Sequence, residues 1–168
     1  MVTPAFAANS TNPASPAASM LNQANQMNKE EISGANMLSN KAGNDVALKT
    51  LATTLKYDHQ ANETAVKDLA SRDNVTLQSY RGQPAQMKNL SNLHGTAFDK
   101  AFLSMEAQDH RQALQQFEAA RNEPQSQAMK MYIDETIPVL KAHLAIIENV
   151  QRDMSFASGA ENTAANTQ

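Results

Sequence analysis

Apolar residues recur at steps of three and four along most of the chain, the spacing of helices that bury one face. From about Met20 to Ala42 the apolar positions are Leu21, Ala24, Met27, Ala35, Leu38 and Ala42. Gly43-Asn44-Asp45 stops this helix and caps the next. A second helix is predicted from about Val46 to Arg72. Leu48, Ala52, Leu55, Val66 and Leu69 lie on one stripe, with His59 and Asn62 in its gap. The polar connection from Asp73 to Gly95 holds a short helix between Pro84 and Leu93, where Met87, Leu90 and Leu93 repeat every third position. A third long helix is expected to start at Thr96, since Thr96-Ala-Phe-Asp99 reads as a capping box, and its apolar face is Phe98, Phe102, Met105, Leu114 and Phe117. Asn122-Glu123-Pro124 ends it and starts the fourth, proline being tolerated in a first helical turn. In that helix Met129, Ile133, Thr136, Leu140, His143, Ile147, Val150 and Met154 alternate steps of four and three, and Pro138 is expected to kink it.

The turns between helices one and two, and between three and four, are short enough to force hairpins. The pattern therefore predicts an all-α, antiparallel up-down-up-down four-helix bundle with a short helix in its long connection. Residues 20–154 form the expected bundle domain. Residues 1–19 read as a disordered tether and 155–168 as a disordered tail, both small, polar and without periodicity.

Composition agrees with this picture. Five glycines and eight aromatic residues (3 Tyr, 5 Phe) in an alanine-rich chain argue against a β-sandwich or barrel. A net charge of -3 argues against a simple basic surface for nucleic acid. No apolar run approaches the ~18 residues of a membrane span. The absence of cysteine excludes disulfides, thiolate ligands and thiol chemistry. Met1 to Ala8 resembles the cleavage end of a secretory signal, with Ala5-Phe6-Ala7 as an A-x-A site, and reads equally well as an alanine-rich start. The expected location is periplasmic or secreted, where stray thiols would be oxidised.

The informative residues are polar ones in apolar stripes. His59 lies seven residues from both Ala52 and Val66, and His110 seven from both Leu103 and Phe117. His143 stands in the same relation to Thr136 and Val150, and Glu31 shares a stripe with Ala24 and Leu38. Glu106 sits four residues before His110, on the same face. His59, His110, Glu106, Glu31 and His143 are thus the candidate ligands of a transition metal (zinc, copper or iron). Nitrogen-rich ligation suits zinc or copper, and the missing Glu-x-x-His disfavours a di-iron oxidase. Counting residues from the hairpin turns puts four of these at one level. His143 then falls about 8–12 Å away at ~1.5 Å per residue, at a second level with Glu63 unless the hairpins are staggered. The competing reading is a structural or interaction bundle without metal, whose buried histidines only hold the helices in register. Asp58 and Asp109 each precede a histidine and are either solvated or bridge helices. No nucleotide-binding, metalloprotease or nucleophile motif occurs, and no catalytic residue is assigned.

Tyr57-Asp58-His59 with Asn62, Gly95 to Phe102, Asp109-His110, and Ile137-Pro138 to His143-Leu144 together resemble a bacterial family. It is catalogued as domain of unknown function 4142, and the resemblance covers about residues 20–153. It implies a ferritin-like four-helix bundle, exported to the periplasm or attached to the envelope, with no established activity; metal handling or envelope stress is the role expected from the candidate ligands themselves. The family's usual helix-one glutamate falls near Ile32 here, beside Glu31. The resemblance transfers no catalytic residue.

Overall fold

The computed structural model describes residues 15–123 and 125–165, with side chains up to 155. Most of the segment expected to be a tether therefore lies outside the described residues. The chain forms five helices: α1 (Pro16–Lys41), α2 (Val46–Arg72), α3 (Ala85–Ser91), α4 (Gly95–Arg121) and α5 (Gln127–Ala165). Among the described residues there is no strand. No helix there is long and apolar enough to cross a membrane.

Helix ends follow local chemistry. α1 begins at Pro16, ahead of the expected Met20, because the Ser15 hydroxyl accepts the Ala18 N–H and proline takes a first-turn position. Asp45 caps α2 as expected, accepting the Leu48 N–H at 2.9 Å, and the turn before it uses Gly43 at φ 55°. Replacing Asp45 with alanine should cost about 1 kcal/mol. In a chain of this size that lowers the melting temperature by roughly 2–4 °C, readable by calorimetry.

Two expected starts are corrected. α4 begins at Gly95, with His94 at the cap position and no side-chain cap bond, so Thr96 and Asp99 form no capping box. The positive φ of Gly95, 53°, makes the turn that Thr96 was expected to make. α5 begins at Gln127, where the Ser126 hydroxyl accepts the Met129 N–H, and not at Pro124, which lies outside the described residues. α5 passes through Pro138 and runs to Ala165, so the expected disordered tail is helical that far.

Helix α1 packs on α2, α4 on α5, α2 on α5, and α1 more sparsely on α4. The buried apolar residues form two clusters. One joins Leu38 of α1, Leu51 and Leu55 of α2, Phe98 and Phe102 of α4, and Ile147 and Val150 of α5, with Met87 and Leu90 of α3 closing over it. The other joins Leu21, Val66, Leu69, Phe117, Met129, Ile133 and Leu140. The second half of α4 thus packs with the first half of α5. Between the two clusters every long helix changes from apolar to polar. Asn25, Asn28, Glu31, His59, Glu106, His110, Thr136 and His143 are all buried.

Candidate metal centre

Three imidazoles meet in this polar layer. The ring centroids of His59, on α2, lie 5.7 Å from His110 on α4 and 5.2 Å from His143 on α5. Those of His110 and His143 are 5.4 Å apart. Each ring is 3% exposed or less. One nitrogen from each ring lies within 4.8 Å of the other two. His143 is therefore at the level of the other two, the alternative to a second level that residue counting left open. Glu63, its expected companion, is held by Lys29 at 2.6 Å and Lys67 at 2.8 Å, which lower its pKa.

Side chains on a helix lean toward their own N-terminus. His110, on a helix packed with its end against the start of α5, leans away from that end. His143 leans toward it, and the two converge across several ångströms that residue counting left between them. Because α5 begins at Gln127, counting from Asn122-Glu123-Pro124 also overstated the depth of His143.

The outward nitrogens are fixed by hydrogen bonds. His59 donates Nδ1–H to Asn28 Oδ1 at 3.0 Å. That assignment follows from a one-way chain of donors. The Thr136 hydroxyl donates to the Tyr132 carbonyl, and Asn62 Nδ2 donates to Thr136 Oγ1. Tyr132 Oη and Asn28 Nδ2 both donate to Asn62 Oδ1, which leaves Asn28 Oδ1 as the acceptor for His59. His110 donates Nδ1–H to the Glu106 carbonyl at 2.9 Å, and His143 donates Nε2–H to Asp58 Oδ2 at 2.9 Å. The remaining nitrogens are His59 Nε2, which is buried without a hydrogen-bond partner, His110 Nε2 and His143 Nδ1. The last two face each other at 3.3 Å, a contact that needs a proton or a cation between the lone pairs. Burial lowers the pKa of His59 well below its usual value, with His110 and His143 adding to the effect. Burial lowers that of His110 as well, against the opposing charge of Glu31.

Two carboxyls complete the layer. Glu31, on α1, places Oε2 3.9 Å from His59 Nε2 and Oε1 4.0 Å from His110 Nδ1. Glu106 Oε2 lies 3.8 Å from the same Nδ1, which already donates to a carbonyl. Burial raises both carboxyl pKa values, that of Glu106 well above the usual range, where the Glu31 charge and a hydrogen bond between the two add to it. Gly34 makes room for Glu106: a Cβ there would stand 3.1 Å from Glu106 Oε1 and 3.1 Å from Met87 Cε.

All five candidate ligands thus fall in one layer. Sequence reasoning missed Asn28 and the linkage from Asn62 to Tyr132 and Thr136, and left Asp58 open between solvated and bridging. Asp58 bridges α2 to α5. Residues 2–150 match the family described as Domain of unknown function (DUF4142). No curated protein and no solved structure matches the chain. With most of its length matched, the chain belongs to the DUF4142 family.

Proposed function

We propose that this protein binds a transition metal ion through His59, His110 and His143, with Glu31 as the nearest carboxylate ligand and Glu106 behind it. The observation that carries the reading is the direction of the three rings. Each ties one N–H to an oxygen, of Asn28, Glu106 or Asp58; the other nitrogens of His110 and His143 face each other, and one nitrogen of each ring lies within 4.8 Å of the other two. Metal-ligating histidines are oriented in this way, because the outer hydrogen bond sets the tautomer and raises ligand basicity. Ligand atoms on a four-coordinate zinc with bonds of ~2.0–2.1 Å stand about 3.3–3.4 Å apart. The His110–His143 separation of 3.3 Å matches that edge. Three nitrogens and one carboxylate favour zinc or copper over a hard oxygen-seeking ion.

The fold around the site is read as an antiparallel up-down-up-down four-helix bundle of the ferritin-like kind, α3 closing one end. It is supported by the short α1–α2 and α4–α5 connections and the two end clusters. The role proposed is metal handling in the periplasm or cell envelope, and no turnover is assigned. A metal-free bundle is the second reading, favoured by the same hydrogen bonds, which would hold four helices in register unaided.

Elemental analysis of untagged protein separates the two, near-stoichiometric zinc or copper supporting the metal site and metal-free protein that rejects both ions removing it. Asn28→Ala sharpens the test. It frees the His59 tautomer and should weaken zinc affinity roughly 10–100-fold, as loss of an outer-shell partner does. An unchanged affinity in that variant would show that the outer hydrogen bond does not orient a ligand.

A further inference from the structure

A groove of about 540 Å³ runs between α1 and α4, the sparsely packed pair, and is bordered by the 78–87 segment. Glu31 and Glu106 line it, with Glu30 and Asp109 beside them. Its other walls are rich in amides, among them Gln23 and Gln112. Glu31 and Glu106 are 6% and 1% exposed, and Oε2 of each is buried without a hydrogen-bond partner. No lysine or arginine among the described residues pairs with any of the four acids. Arg81, which also lines the groove, donates instead to Gln78 Oε1 at 3.0 Å. Four carboxyls thus stand together at the groove with no cationic side chain bound to them. A cation is the missing partner. Glu31 faces both sides: it lines the groove, and its Oε2 stands 3.9 Å from the partnerless His59 Nε2.

We propose that the groove is the route by which a hydrated divalent cation reaches the histidines. It is held first by the carboxylates at the groove floor and passed inward by Glu31. This rests on the histidine site proposed above. An oxygen-rich first stop suits an ion still carrying water, and the nitrogen-rich inner site suits the same ion once stripped of it. The inlet controls rate, so it acts on uptake and release together.

Cobalt(II) is the probe, since its ligand-field absorption reports the inner site directly in stopped flow. In the full-length chain, the double variant Glu30→Gln/Asp109→Asn should slow both uptake and chelator-driven release roughly tenfold or more, the scale of electrostatic focusing by a charged cleft. The final spectrum should be that of the wild type. Gln112→Lys, which adds a positive charge to the groove wall, should slow uptake independently. Glu135→Gln on the exposed face of α5 shifts the charge by one unit elsewhere, as Gln112→Lys does in the groove, and should leave both rates unchanged. Wild-type uptake should also slow with rising salt. If the wild type loads and both groove variants load equally fast, the route is overturned and the histidine site stands. If the wild type takes up no cobalt(II), the histidine site falls and the route with it.

Discussion

Zinc added at a hundredfold excess over its dissociation constant should raise the melting temperature of the wild-type protein by about 5–10 °C and leave His110→Ala where it was. Binding to the folded state alone contributes RT ln(1 + [L]/Kd), about 2.7 kcal/mol at that excess. For a chain of this length each kcal/mol is worth roughly 2–4 °C. His110 is the sharpest choice because its Nε2 stands 3.3 Å from His143 Nδ1 and its ring is 1% exposed. Its removal also leaves the Glu106 carbonyl without its side-chain donor and opens a cavity, costing roughly 1–3 kcal/mol with or without metal. The variant thus melts lower at baseline, and the informative quantity is the zinc-induced shift in each protein. Equal shifts in both, measured near pH 7 by scanning calorimetry, would take His110 out of the site.

The metal-free protein should show opposed pH dependences from its two kinds of buried group, and Glu106→Gln should separate them. His59 and His110 have folded-state pKa values below the unfolded value near 6.5. Their contribution is intact above about 6.5. It is lost as pH falls from there toward the depressed folded values, because the unfolded chain binds protons that the folded one refuses. Glu31 and Glu106 are raised above 4.5. Their contribution is present below 4.5 and lost as pH rises through the folded values, since the unfolded chain then gives up protons that the folded one retains. Glu106→Gln keeps a donor toward Glu31 and abolishes the largest of the carboxyl shifts. The stability of the variant relative to wild type should therefore increase with pH from 4.5 upward, by about 1.4 kcal/mol for each pKa unit removed. Asp58, Asp109 and Glu30 border the same layer and are untouched. Chelator-treated samples unfolded in urea at several pH values give the comparison, and a difference that stays flat would mean that Glu106 holds no proton in the folded state.

The ligand candidates were legible because a seven-residue repeat exposes any polar residue that replaces an apolar one. His59, His110 and His143 each break such a repeat, as does Glu31, and all are buried in the same layer. Asn28 was not legible, because a chain with so many asparagines and glutamines offers no contrast by which one buried amide stands out. Asp58 was half legible. Its adjacency to His59 suggested opposite directions, and the structure shows that the opposite direction is α5, where it meets His143 with its side chain 47% exposed. The level of His143 stayed open because residue counting follows the backbone, whereas contact depends on the lean of the side chains. The helix count and the apolar faces followed from periodicity, but the starts of α4 and α5 did not. Gly95 and Ser126 set them, and neither carries a pattern that distinguishes it from Thr96 or Pro124.

The three histidines sit on three helices of a chain that has no cysteine. An ion held by all three would act as a cross-link, joining α2 to α4 and α4 to α5 at mid-height. Like a disulfide it would tie together segments distant in sequence, but it would act by binding the folded chain and not by shrinking the entropy of the unfolded one. Unlike a disulfide it would be undone by acid or a chelator and be indifferent to thiol reductants. The family fold would then possess a staple that an oxidising compartment can neither form wrongly nor scramble.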